Sequence, residues 1–267
     1  MKINLTLLFL TFSSFVFAQK TSSISTSQIT PKAVIESKSE KPKLNKNDTT
    51  ILRDETDTSI AYYKIMNGTT LITQGKLLSG KREGIWRFYY ENGSPLKIEE
   101  YHLGKRNGMA VSYDRTGFAM TDENYKNDVW DGAIIKYVNG GKVKSMIFYK
   151  DGKMDGLKLM NYDDGTGKQE ESEWKNGKKN GRTIWYYKKG IKMMEADYTD
   201  DILNGEQITY NEKGVMIKKA NFVKGKEDGK WFEYDENGNV INTIIYKNGE
   251  LVKSKSDLKK EKAKTKH

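Results

Sequence analysis

The chain has 267 residues and a formal net charge of +10, from 46 basic and 36 acidic side chains, with two histidines and no cysteine. The missing thiols exclude disulfide staples, thiolate metal sites and attachment through a lipidated cysteine, and two histidines are too few for a multi-histidine metal site. Hydrophobic residues make up only 36%, with 24 glycines and 16 tyrosines replacing a leucine-rich interior, which excludes a deep core.

In chain order, Met1 and Lys2 precede an apolar run from Ile3 to Phe17, and Val16-Phe17-Ala18 offers small residues at the minus-three and minus-one positions. Residues 1–18 therefore read as a signal peptide cleaved after Ala18, the run being short for a membrane span of about 20 residues. Residues 19–59 are rich in serine, threonine, lysine and asparagine without a sustained period, the composition of a disordered linker. Residues 60–83 read as a degenerate capping repeat, with Tyr62 to Gly68 as strand and turn and Leu71 to Gly80 as the returning strand. Residues 253–267 form a basic tail, read as disordered, whose seven lysines face only Asp257 and Glu261. Removing the ends leaves the middle of the chain nearly balanced in charge, so the basic excess describes the tail more than a binding face.

The middle, 84–252, is periodic. Gly84, Gly108, Gly132, Gly156, Gly181, Gly205 and Gly229 recur every 24 residues with a single 25-residue spacing, and a second glycine follows nine residues after each. Five residues on stands Tyr89, Tyr113, Tyr137, Tyr186, Tyr210 or Tyr234, with Asn161 in the fourth unit. Seventeen residues on stands Tyr101, Tyr125, Tyr149, Tyr198, Phe222 or Tyr246, with Trp174 one place later in the fourth unit, which assigns the extra residue to the region of Thr166 and Gly167. About six residues between the paired glycines suit a strand and not a helix. Alternation puts Val111 with Tyr113, and Phe232 with Tyr234, on one face. Each unit is thus expected to be a β-hairpin joined to the next by a four-residue connection such as Gly104 to Asn107. The fold class is all-β, an elongated antiparallel array of seven hairpins on the order of 65 Å long at ~4.8 Å per strand. The aromatic of one strand is expected to cover the bare backbone of a neighbouring strand's glycine.

Trp174-Lys175-Asn176-Gly177-Lys178-Lys179-Asn180-Gly181 resembles the aromatic-x-x-Gly-x-x-x-Gly core of MORN repeats, and Tyr101 to Gly108, Tyr149 to Gly156 and Phe222 to Gly229 repeat it. In detail the chain resembles the bacterial variant labelled as the YwqK-type antitoxin group of toxin-antitoxin systems. Asp128 and Asp201 depart from the pattern where glycine is usual, which puts local turn geometry in question. The resemblance implies a hairpin array acting as a scaffold, a dimerisation module or a lipid-binding surface, and it brings no catalytic motif. The antitoxin label implies neutralising a partner protein, although a cytoplasmic antitoxin fits poorly with an export signal.

No enzyme chemistry emerges from the residues, and no cofactor or metal is expected. His102 reads as an ordinary strand residue, and the paired acids, Glu99 and Glu100 among them, fall mostly in or beside turns. Asp235 to Asn239 lacks the glycine and closing glutamate of a calcium loop, and Gly165 to Lys168 lacks the spacing of a phosphate loop. Trp86, Trp185 and Trp231 have the parity opposite to the repeated tyrosines and are assigned to the other face. They either cover backbone beside the glycines or serve as partner-binding anchors. The expected role is an exported module, periplasmic, envelope-associated or secreted, that binds an unidentified protein. The alternative is attachment to anionic lipid or envelope glycan, while export and the balanced array argue against nucleic acid.

Overall fold

Both kinds of turn in this chain follow from its short polar residues and glycines. Eight two-residue turns, from Ser79-Gly80 and Leu103-Gly104 to Asn248-Gly249, hold both central residues at positive φ. That geometry matches the natural twist of an antiparallel pair. At the other end of several hairpins, longer loops close on an acceptor side chain: Asp114 Oδ1 takes the N–H groups of Thr116 and Phe118, and Asp235 Oδ1 those of Asn237 and Asn239.

The computed structural model describes residues 48–138 and 140–253. The signal-peptide reading of 1–18 and the tail 254–267 lie outside the described residues, as does the linker as far as 47. The strands are β1 (Asp48–Arg53), β2 (Ile60–Asn67), β3 (Thr70–Leu78), β4 (Lys81–Tyr89), β5 (Pro95–His102), β6 (Lys105–Tyr113) and β7 (Ala119–Lys126). They continue as β8 (Val129–Trp130), β9 (Gly132–Val138), β10 (Lys142–Lys150), β11 (Lys153–Asn161), β12 (Lys168–Lys175), β13 (Lys178–Tyr186) and β14 (Lys192–Thr199). The last are β15 (Ile202–Tyr210), β16 (Met216–Val223), β17 (Lys226–Glu227), β18 (Gly229–Tyr234), β19 (Val240–Lys247) and β20 (Glu250–Lys253). All belong to one antiparallel sheet. Each strand pairs with its neighbours in sequence, β8 and β9 sharing β7, and β17 and β18 sharing β16.

The all-β hairpin array is therefore present, with three corrections. The connection between units is a two-residue turn and not a four-residue loop: Lys105 and Arg106 already pair with His102 and Tyr101, and Asn107 continues β6, so each repeated strand begins three residues before its glycine. Six residues assigned to the linker, Asp48–Arg53, form β1 on β2. The boundary between capping repeat and array moves likewise, since β4 opens at Lys81. The extra residue of the fourth unit lies where the spacing put it, in the loop between Asn161 and Lys168.

The repeat glycine sits in a bulge. Glu99 faces Ala110 and Tyr101 faces Arg106, so Asn107, Gly108 and Met109 stand against Glu100 alone. Gly108 has φ +123°, and a β-carbon there would fall 2.0 Å from Glu100 Oε2. Across the next strand every repeat glycine lies opposite its unit's aromatic, from Gly84 against Tyr101 to Gly156 against Trp174 and Gly229 against Tyr246.

Two sets of bonds join each unit to the one before it. From Leu103-Gly104 onward the second residue of each tight turn donates its N–H to a carbonyl two strands back: Gly104 to Arg82 at 2.8 Å, Gly177 to Met154 at 2.8 Å and Gly249 to Glu227 at 2.8 Å. The first turn residue donates to the side chain just before the preceding repeat glycine: Leu103 to Glu83, Asn176 to Asp155, Lys224 to Asn204 and Asn248 to Asp228. At Asp128 and Asp201 the turn geometry survives the loss of glycine, with φ 69° and 70°. Their carboxylates accept the N–H groups of Arg106 and Lys179, a bond glycine lacks.

Candidate functional site: the aromatic and charged face

Alternation along the strands gives the sheet two distinct faces. One carries the aromatic opposite each glycine, together with the residues two and four places after the glycine. In the first unit Arg82 lies 4.6 Å from the Trp86 ring centre, 5.1 Å from Tyr101 and 5.3 Å from Phe88. Its Nη1 donates to the Tyr101 hydroxyl at 2.8 Å, and that hydroxyl donates to Glu99 Oε2 at 2.7 Å. Lys97 completes the cluster, binding Glu99 Oε1 at 3.0 Å while lying over Phe88. A buried carboxylate is tolerated at Glu99 because its oxygens meet an ammonium and a phenol.

The theme recurs along the face. Arg106 stacks 3.9 Å from Tyr125, whose hydroxyl donates to Glu123. Burial, reinforced by those acids, pushes the Tyr101 and Tyr125 phenols above the ordinary tyrosine range. Farther on, Lys158 pairs with Glu170 at 3.1 Å and Lys179 lies over Tyr198, Trp185 and Trp174. Burial disfavours the Glu170 charge, yet Lys158, Ser172 and Lys179 outweigh it and hold that carboxyl below its usual range. Phe222, Trp231 and Tyr246 close the row, with Lys218 4.4 Å from the Trp231 ring. Each such cation over a ring contributes roughly 0.5–1 kcal/mol where solvent reaches it.

The opposite face carries the repeated tyrosines Tyr89, Tyr113, Tyr137, Tyr186, Tyr210 and Tyr234. Tyr186 donates to Glu171 at 3.3 Å, and Tyr210 makes a short bond to Glu195. Glu195, 5% exposed, also meets Lys192 and Arg182. This buried acid escapes a sequence reading because its partners come from three strands. The residue before each repeat glycine was missed for the same reason, although its signal is plain: Glu83, Asn107, Asp131, Asp155, Asn180, Asn204 and Asp228 all offer a side-chain oxygen.

Of the three tryptophans, the structure places all on the expected face but does not leave them equally reachable. Trp86 is 2% exposed, packed on Tyr63 and Tyr101 with Nε1 bonded to the Lys76 carbonyl. Trp231 is buried against Phe222 and Tyr246 with Nε1 directed to the Asn221 carbonyl. Burial removes these two from the side chains a partner could reach, and backbone covering accounts for both. Trp185 remains half-buried between Tyr198 and Lys179. His102 is exposed and meets only Glu83, as an ordinary strand residue does. Among the described residues no group of three or more His, Asp or Glu side chains converges as a metal site, and no helix is long and apolar enough to cross a membrane.

The model of the MORN repeat variant matches residues 82–102, 203–224 and 227–248. The first match opens at Arg82, inside the strand that begins ahead of the repeat glycine, and the three together sample both ends of the array. No curated protein matches the chain. MORN repeats generally mediate protein or membrane binding and are generally non-catalytic.

Proposed function

We propose that this chain is an exported, non-enzymatic module that recognises a partner protein in the cell envelope. The observation that carries this reading is the aromatic and charged face, on which Trp185, Phe88, Tyr198, Lys179, Arg82 and Lys97 form a half-covered surface with its cations already fixed over rings. Tryptophan, tyrosine and arginine held rigidly in this way are the usual anchors of protein interfaces, since little side-chain freedom remains to be lost on binding. Export rests on the sequence from Met1 to Ala18. An antitoxin or immunity role is a narrower form of the same reading, supported by the resemblance to the YwqK-type group. The test is capture from native envelope by the wild-type chain and by Trp185→Ala, followed by mass spectrometry. One dominant protein, diminished by the substitution, supports recognition.

A second reading, attachment to anionic lipid or envelope glycan, is favoured by the seven lysines of 253–267. It predicts sedimentation with anionic vesicles or wall material that weakens as salt rises and disappears when the tail is removed.

A further inference from the structure

The first four strands form a groove of about 400 Å³ on the tyrosine-bearing face, at the edge of the sheet. Its side chains segregate into two rows across the strands. One row runs Leu52, Tyr62 and Lys76 in register, with Ile85 beside it. The other runs Thr50, Lys64, Gln74 and Arg87. The first row is dominated by exposed apolar surface, Leu52 being 51%, Tyr62 53% and Ile85 49% accessible. Lys64, Lys76 and Arg87 supply three cations, and no carboxylate lines the groove. Glu83, which stands opposite Lys76 in register and shares its field, is hydrogen-bonded by the Leu103 N–H and His102. Among the described residues β1 pairs only with β2, so its outer backbone groups face away from the sheet.

An unpaired edge beside a two-row groove is the arrangement that receives an extended peptide, the backbone giving affinity and alternate side chains giving selectivity. We infer that β1 accepts an acidic segment of a partner protein as an added strand, with an apolar side chain against Leu52 and Tyr62 and an acid two residues away, in the Thr50 row, reaching toward Lys64 within the positive field of Lys76 and Arg87. This rests on the protein-recognition reading above and specifies the partner's chemistry. Charge complementarity selects the acid, and the row spacing sets the two-residue interval. A groove of this volume lies within the range of about 300–1,000 Å³ usual for binding sites.

The experiment is selection of a displayed random peptide library on the full chain, repeated on Lys64→Glu/Lys76→Glu/Arg87→Glu and on the charge-retaining Lys64→Arg/Lys76→Arg/Arg87→Lys. Melting curves verify that both variants remain folded. The wild type and the charge-retaining variant are expected to enrich peptides with an acid and an apolar residue two apart, binding at least tenfold more weakly to the reversed variant. A synthetic copy of the winning peptide should slow amide exchange in 48–53. Enrichment of basic or uncharged peptides, no enrichment, equal binding to the reversed variant, or no new protection in β1 overturns the inference. So does binding of phosphatidylserine vesicles at the groove with no peptide bound, or self-association of the chain through β1. If the reversed variant still captures its native envelope partner, the groove assignment fails while the recognition reading stands.

Discussion

Asp155 Oδ2 accepts the backbone N–H of Asn176 at 3.0 Å, across 21 residues of chain, and so fastens the turn of one hairpin to the strand of the hairpin before. Asp155→Ala leaves that N–H to solvent or to nothing and should cost about 1 kcal/mol, whereas Asp155→Asn keeps a side-chain oxygen and should cost less. Denaturant unfolding measures the difference, and amide exchange at Asn176 should quicken in the alanine variant alone.

The Trp86 ring occupies the space above Gly75. A β-carbon on Gly75 would lie 2.3 Å from Trp86 Cδ2, so Gly75→Ala must displace a nearly fully buried ring. The expected loss is about 1–3 kcal/mol. Gly75→Ala combined with Trp86→Ala should lose less than the sum of the two single changes, by at least about 0.5 kcal/mol, if the ring is the obstacle.

Glu195 depends on the Tyr210 hydroxyl. Tyr210→Phe removes that donor from a buried carboxylate and should destabilise by roughly 1–3 kcal/mol, with Lys192 and Arg182 remaining as partial support. Burial, with the neighbouring acids, pushes the Tyr186 and Tyr210 phenols up to about 12 from an ordinary 10.0. A raised folded value means that this stability is fully present below pH 10.0 and is lost as pH rises toward 12. Phenolate absorbance should show these two tyrosines ionising late, and the late step should shrink in the Tyr210→Phe variant.

Acid should loosen the turns. The Arg106 N–H holds the Asp128 carboxyl below the usual range, and the Asn248 and Asn239 N–H groups do the same for Asp228 and Asp235. Depressed values contribute stability above the unfolded carboxylate pKa of 3.8, and it is lost as pH falls through the lower folded values. Melting temperature should therefore drop on going from about pH 5 to about pH 3, and Asp228→Asn should flatten the slope. An unchanged slope would assign the acid sensitivity elsewhere.

The tryptophans should separate folding from recognition. Trp86→Ala removes a nearly fully buried side chain and should cost about 3–5 kcal/mol. Trp185→Ala, on the half-covered surface, should cost less in melting and more in partner capture. Equal behaviour of the two in both measurements would deny Trp185 a role in binding.

The hairpins, the one-residue insertion and the assignment of faces were all legible in the sequence, because each depends on spacing along a single strand. Gly108 and Tyr125 announce a unit by their interval, and the structure adds only that they stand opposite one another. The bulge at Gly108 was not legible: its three-against-one register arises from the strand before, and spacing alone reads Gly104 to Asn107 as one four-residue connection. Burial of Trp86 was hidden for a related reason. Parity fixes which way a ring points, but Tyr63, Tyr101 and Arg82 decide whether water reaches it, and they come from two other strands and the start of its own. The strand Asp48–Arg53 was missed because six residues are too few to show a period, and β1 is held by its register on β2.

The bonds from each tight turn run only backward. Gly104 donates to Arg82, Gly177 to Met154 and Gly249 to Glu227, so for these turn N–H groups the acceptor is made before its donor leaves the ribosome. A chain built this way grows like a zip fastener closed from its amino end: each emerging hairpin meets a finished edge with its carbonyl and side-chain oxygen already in place. Interruption of synthesis then leaves a shorter, properly closed sheet instead of a tangle awaiting its missing half.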